Sequence, residues 1–317
     1  MSLWALFRTP PPDVAVEIAA DRVSAARLST RGAEAVVAAY AVEPLAAGLV
    51  VPGLLAANLT DLREVGDAVR RAVTALGGRV RRVALVVPDP VARVTLVRFE
   101  TVPARQADLD ELVRWQVRKS VPFPLDQAVV SHTPGGRPVE GGVEFIVAAA
   151  RHDVIGQYEA ACAQAGLQAG LVDLATFSVI NGVLASRPRP DGDWLLVNAT
   201  RAYTTLAVVR DDRLIFIRSR GEDTDGSLAD VVHQTAMYYE DRLHGSGFRR
   251  VLLAGGAALP GGAEAERRAL EERLRVPVEA VDPRLAAGLV DRIGASPELL
   301  DALGPMVGVL LRERRAA

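Results

Sequence analysis

The sequence has 317 residues, half of them apolar and 24% charged, with a formal net charge of −2. That length exceeds a typical single domain, and the apolar content excludes a disordered chain. The near-neutral charge excludes the basic surface that a nucleic-acid binder needs, and the single cysteine, Cys162, excludes an internal disulfide framework.

The chain opens on Leu3, Trp4, Leu6 and Phe7, followed by Pro10 to Pro12, which break any helix. This tail is either frayed or a small anchor resting on a membrane surface or a partner. Val14 to Ile18, Arg22 to Leu28 and Val36 to Val42 read as strands. Leu59, Leu62, Val65, Val69 and Val73 recur at helical spacing within a helix expected over 56–76, which Gly77-Gly78 ends. Val83 to Val87 is a continuous apolar run suited to a buried strand. After Pro88-Asp89-Pro90, Val91 to Phe99 alternates as another strand.

Asp108 and Glu111 make a capping-box-like start to a helix with Leu109, Leu112, Val113 and Val117 on one face. It ends at Ser120, and Val121-Pro122-Phe123-Pro124 forces an extended path. Ala128 to Thr133 and Val143 to Ala149 flank a glycine-rich hairpin, and a helix follows over 153–165. The stretch 83–165 therefore reads β-β-α-β-β-α, a unit of its own. After an extended entry, a helix expected over 170–185 precedes the Pro/charge linker 187–192. Trp194 to Val197, Thr204 to Val209 and Leu214 to Arg218 are strands, with Asp211-Asp212 turning the second pair. A helix over 228–243 and a strand, Arg250 to Ala254, lead into Gly255-Gly256. The openings at 14–42 and 194–218 resemble each other, which points to an internal duplication.

Three stretches carry a resemblance to a known family. The first is Leu112 to Phe123 with Leu125-Asp126, a helix that ends in a Val-Pro-Phe turn. The second is Phe145 to Arg151, Ala165-Gly166-Leu167, Leu171-Val-Asp173 and Phe177-Ser178. The third is Tyr238-Tyr239, then Val251 to Ala257 with Leu259-Pro260-Gly261. In order and spacing the chain is similar to the PilM family of type IV pilus assembly proteins.

The resemblance implies an actin-like ATPase fold, α/β, of two duplicated lobes around a cleft. The expected division is a tail over 1–12, a first lobe over 13–82 and 166–190, and an insert over 83–165. The second lobe covers 191–300, and a C-terminal helix over 301–317 returns to the first. The implied partners are the cytoplasmic tail of a PilN-like bitopic membrane protein, bound near the insert, and the pilus motor ATPases. The implied location is the inner face of the cytoplasmic membrane. Trp115, Val121, Pro122 and Phe123 are the candidate partner-binding residues.

The fold also implies a site for ATP and Mg²⁺, built from two hairpins with an aspartate and a glycine in each, and a lysine after the first. Here the aspartates are replaced by Glu17 and Asn198, the glycines by Ala19 and Thr200, and the lysine by Ser24. Gly255, Gly256 and Ala257 either receive a ribose or adenine or form only a strand-to-helix turn. Each missing charge-assisted contact costs roughly 1.5–3 kcal/mol, so the site reads as degenerate. Two alternatives stay open: a functional Mg-ATP-binding protein with Glu17, Thr204 and Thr205 as stand-ins, or a type II secretion platform homologue. Lys119 lacks a preceding glycine loop, and no Gly-x-Ser-x-Gly nucleophile is present, so other phosphate or acyl chemistry finds no motif.

Overall fold

The structure, a computed structural model, describes residues 11–32, 34–136, 141–221, 227–290 and 293–316. The apolar tail at Leu3 to Phe7 and the tip of the glycine-rich hairpin lie outside the described residues. In chain order the first elements are β1 (Val14–Ile18), β2 (Arg22–Arg31), β3 (Glu34–Pro44), α1 (Leu62–Ala75) and β4 (Arg82–Val87). Next come β5 (Ala92–Phe99), α2 (Gln106–Val117), β6 (Ala128–Gly136), β7 (Val143–Arg151), α3 (His152–Gln164), β8 (Gln168–Leu174) and α4 (Ala175–Ala185). The second half runs β9 (Trp194–Ala199), β10 (Tyr203–Arg210), β11 (Arg213–Gly221), α5 (Leu228–Arg242) and β12 (Arg250–Ala254). It closes with α6 (Gly262–Leu274), β13 (Val278–Ala280), β14 (Gly288–Leu289) and α7 (Pro297–Ala316).

The strands form a six-stranded sheet in the order β14-β3-β2-β1-β4-β8, a five-stranded sheet β11-β10-β9-β12-β13 and a three-stranded sheet β5-β7-β6. The duplication is explicit in the pairing. In each large sheet two antiparallel hairpins are followed by two parallel strands, β1-β4-β8 in one and β9-β12-β13 in the other. Every residue of β1 and of β9 is buried, as the central strand of a sheet covered on both faces requires. Asp211 and Asp212 turn β10 into β11, both with positive φ (49° and 62°), a backbone that Asp tolerates better than most residues.

Three helix starts differ from the sequence reading: α4 begins at Ala175, not at residue 170, because residues 168–174 form β8 beside β4. α1 begins at Leu62, not at residue 56, because the Asp61 carboxylate accepts from Glu64 N (3.0 Å) and caps the helix there. Leu59, which fitted the helical spacing, instead bridges to Val50 and is buried. α2 begins at Gln106, so Asp108 falls in its first turn and no side chain caps the start. Asp108 still favours that helix end by charge, 3.9 Å from Arg105.

The insert is smaller than expected. β4 belongs to the six-stranded sheet, between β1 and β8. α3 packs Tyr158 and Cys162 into the same core as Val65 and Val69 of α1. What remains is the three-stranded sheet with α2 over it, around Phe99, Leu109, Val113 and Phe145.

The two large sheets are joined by a pair of helices. α7 covers the six-stranded sheet, placing Leu303, Met306, Val307 and Leu310 against Ala15, Leu28 and Val86. α4 covers the five-stranded sheet, placing Val179, Ile180 and Val183 against Leu196, Ala207 and Leu252. The two helices meet through Gly182, Gly304 and Gly308, where a Cβ on Gly308 would overlap the carbonyl oxygen of Ser178. Glycine is required at 308 by that close approach.

Candidate functional site

The cleft lies where the β1–β2 and β9–β10 hairpins point at each other. Both turns are built alike: Ala19 N donates to Arg22 O and Thr200 N to Tyr203 O, each at 2.9 Å. In the second turn the Thr200 hydroxyl accepts from Tyr203 N (3.1 Å) and Ala202 N (3.3 Å), so it consumes donors that face the cleft. A third wall is the turn after β12, where Gly255 adopts φ +75° and a Cβ would overlap the Ala199 carbonyl oxygen. α7 supplies the fourth, with Glu298, Leu299, Asp301 and Ala302. Together they enclose a cavity of about 400 Å³.

Three of its charged groups, Glu17, Asp21 and Arg22, are paired with one another. Glu17, at the end of β1, is buried, and Arg22 Nη2 reaches its Oε2 at 3.2 Å. The same guanidinium donates from Nη1 to Asp21 (3.2 Å) and from Nε to Ser24 Oγ (3.2 Å). Burial, opposed by Arg22, pushes the Glu17 carboxyl above its ordinary range. Burial works against the charge of Arg22 too, but Glu17 and Asp21 outweigh it and its pKa is raised. Across the cleft, Asp301 Oδ1 accepts from Gly255 N (3.1 Å) and Oδ2 from Ala257 N (2.8 Å). An aspartate on a first-lobe helix thus fills the amide nest of a second-lobe turn. Burial raises its pKa against those two hydrogen bonds.

A second carboxylate joins the lobes beneath the cavity. Asp89, buried just after β4, accepts from Thr176 N (2.9 Å) and from the Thr176 hydroxyl. Asn198 Nδ2 in turn donates to Thr176 Oγ1 at 2.9 Å. Burial pushes the Asp89 carboxyl up, and hydrogen bonds from Thr176, Thr205 and Asn198 oppose the rise.

The sequence-selected residues divide. Glu17, Gly255 and Ala257 line the main cavity. Asn198 lines a pocket of about 20 Å³ next to it. Gly256 is buried against Leu253 and Ala263. Thr205 is buried in β10, its hydroxyl 3.0 Å from Ser219 Oγ and bonded to Asp89 beneath the main cavity, which it does not line. Thr204 points to the opposite face of β10, into a separate cavity of about 650 Å³ that also holds Arg220, Leu228 and Val231. Successive strand residues face opposite ways, so the two threonines do not act together. Arg201 borders both cavities and donates from Nε to Ala258 O at 2.8 Å.

The sequence reading takes Ser24 as the loss of the cation; the structure returns one, Arg22, to the Ser24 hydroxyl. Asp89, Thr176 and Asp301 were not selected. A carboxylate between prolines, as at Pro88-Asp89-Pro90, was a visible signal, while Asp301 sits on an ordinary amphipathic helix and gave none.

The expected partner-binding residues do not share one surface. Val121 and Phe123 are buried with Ala128 and Ala149, whereas Trp115 is 70% exposed on α2 and Pro122 is exposed. The turn needs its apolar residues for packing. A larger feature lies beside the insert: a groove of about 560 Å³ between the three-stranded sheet and β8–α4, lined by Val129, His132, Ile146, Leu171 and Phe177. Arg312 and Asp173 border it, paired at 2.7 Å.

With this geometry in view, residues 15–240 match the family model described as type IV pilus assembly protein PilM. The chain belongs to the PilM family. The structure of a PilM-PilN type IV pilus biogenesis complex is similar at a TM-score of 0.80, with 19% identity over 96% of this chain and 99% of that chain. A Bacteroides thetaiotaomicron protein described as having an actin-like ATPase fold is similar at 0.51, with 11% identity over 84% of this chain and 89% of that one. The fold is that of the actin-like ATPases, in its PilM form. Among the described residues, no helix is long and apolar enough to cross a membrane. Nor do three or more His, Cys, Asp or Glu side chains come together to hold a metal ion.

Proposed function

We propose that this PilM-family chain serves pilus assembly as a binding scaffold whose nucleotide cleft is closed by its own side chains. The observation that carries this reading is Asp301 in the amide nest of Gly255 and Ala257. Donors of that kind are where an anionic ligand would bind. A nucleotide would have to displace a carboxylate already held by two hydrogen bonds. Mg²⁺ prefers oxygen ligands with free lone pairs, and the one acidic group in the hairpin strands, Glu17, is committed to Arg22. The neutral amide of Asn198 is committed to Thr176. The residues present do not fit Mg-ATP as they stand.

The partner side of the proposal rests on the groove beside the insert. Its walls are apolar and its rim carries an ion pair, a combination suited to an extended apolar tail with polar flanks. The solved relative is described as a PilM-PilN complex. We therefore assign the cytoplasmic tail of a PilN-like bitopic protein to this groove rather than to the α2 surface at Trp115. The chain would then stand at the inner face of the cytoplasmic membrane and pass contacts on to motor ATPases. The test is a titration with the tail peptide of the PilN-like protein encoded with this chain. Val129→Glu, in the groove and 39% exposed, is expected to weaken binding at least roughly tenfold, and Trp115→Ala to leave it unchanged. The reverse pattern would move the site to α2.

A further inference from the structure

Building on the assignment of a partner's tail to the groove beside the insert, we infer that this tail is basic and that Asp173 is the residue that meets its cation. The strands set up the wall of the groove. Phe145 and Val147 of β7 turn toward Val113 of α2. Their neighbours Ile146, Ala148 and Ala150 therefore face the other way, into the groove. Two of the three are alanines, which leaves room for an extended chain to lie across the sheet.

That wall is apolar, so charge enters at the rim. Among the described residues that line the groove, two carboxylates, Asp173 and Asp212, stand against one guanidinium, Arg312. His132 lines it too, but its Nε2 is engaged by Asp110 of α2 at 2.7 Å. Asp212, in the β10–β11 turn, is paired with Arg189 at 2.8 Å, both partners being about half exposed. A pair so exposed to water contributes little and exchanges readily with an outside cation.

Asp173, near the end of β8, is the more telling of the two. Its side chain is 8% exposed, whereas Arg312, which reaches it from α7, is 39% exposed. Oδ1 accepts from Leu174 N (2.9 Å) and Oδ2 from Arg312 Nη1 (2.7 Å). The Ser178 hydroxyl of α4 is neutral, and Asp89, after β4, is a further anion. Burial thus outweighs the cation beside it, and the carboxyl is pushed up to about 6. A carboxylate in that state is short of positive charge at the edge of a cavity open to a ligand. It has lone pairs for a second cation beside Arg312. An acidic tail would instead bring one more carboxylate next to Asp173 and Asp89. The cytoplasmic flank of a bitopic protein supplies the required charge, because it is enriched in Lys and Arg.

The experiment titrates the full chain with the tail peptide of the PilN-like protein encoded with it, and with the same peptide after every Lys and Arg is replaced by Gln. The Gln peptide is expected to bind at least roughly tenfold less tightly. Asp173→Asn should weaken the native peptide by a similar factor and leave the Gln peptide unchanged, a coupling that a merely structural role would not produce. Wild-type affinity for the native peptide should fall about tenfold from pH 7.5 to 5, as Asp173 takes up a proton. The fall should vanish in Asp173→Asn, which keeps His132. A tail without Lys or Arg, equal binding of the two peptides, or equal loss of both in Asp173→Asn would overturn the inference. Val129→Glu separates the two readings. If it weakens the native peptide while the two peptides bind alike, the groove holds the tail and only the basic requirement fails; if it has no effect, both fall.

Discussion

Arg22 Nη2 stands 3.2 Å from Glu17 Oε2, so the acidic group at the end of β1 faces a guanidinium of its own chain. The pair is largely withdrawn from water, with side-chain exposures of 21% and 7%. Removing one partner of such a pair is costly because the other stays buried and charged. Arg22→Ala should therefore lose about 3 kcal/mol or more at pH 8. The loss should shrink at pH 5, where a lone Glu17, already raised by burial, takes up a proton. The double variant Glu17→Gln/Arg22→Met should recover most of the stability. Urea unfolding of the three proteins at both pH values checks this.

Asp301 holds the second-lobe turn through Gly255 N and Ala257 N. Asp301→Ala leaves both donors facing the cavity, at a cost of about 1–3 kcal/mol. It should also open the nest to an outside anion. Binding of inorganic phosphate or ATP should therefore appear or strengthen in the variant, measured by calorimetry beside a thermal melt. A variant that is destabilised but no more receptive to anions would show that Asp301 only braces the turn.

Gly308 sets the contact between α7 and α4. Because a Cβ there would overlap the Ser178 carbonyl oxygen, Gly308→Ala should cost at least about 3 kcal/mol. Gly156, on α3 with open space around it, is the control, and Gly156→Ala should be neutral or slightly stabilising. Comparable melting temperatures for the two variants would contradict the close packing of the helix pair.

The sequence made the hairpin substitutions legible because they fall at fixed distances along two similar strand pairs. Glu17, Ala19, Asn198 and Thr200 could be read without a structure. Asp301 could not, because its partner Gly255 is 46 residues away and the contact depends on how α7 returns across the cleft. Arg22 looked like an ordinary strand residue. Only the register that sets Ser24 opposite Glu17 shows that its side chain turns back over both. β4 and α3 were assigned to the insert on order alone. Their apolar surfaces are spent on the first-lobe core, and the Pro88-Asp89-Pro90 turn, where the insert begins, reads in sequence like any turn between two strands of one subdomain. Val121 and Phe123 fitted a partner site by motif, yet an apolar turn that packs its own subdomain reads the same way in sequence.

Four carboxylates, the buried Glu17, Asp89 and Asp173 and the half-buried Asp301, have their pKa raised by desolvation, that of Asp173 to about 6 despite Arg312 beside it. A raised carboxyl binds more protons in the folded than in the unfolded protein across the window between the two values. Stability therefore rises as pH falls from about 7 through 6 toward the ordinary carboxylate range near 4. The urea midpoint should be higher at pH 5 than at pH 7.5. Asp173→Asn should flatten part of that rise.

The most direct test of the closed cleft is calorimetric titration of the wild-type chain with ATP in the presence of Mg²⁺. The account predicts no saturable heat up to about 1 mM nucleotide, because Asp301 and Arg22 already hold the positions a nucleotide would need. A dissociation constant below about 10 µM, lost on chelating Mg²⁺, would contradict it.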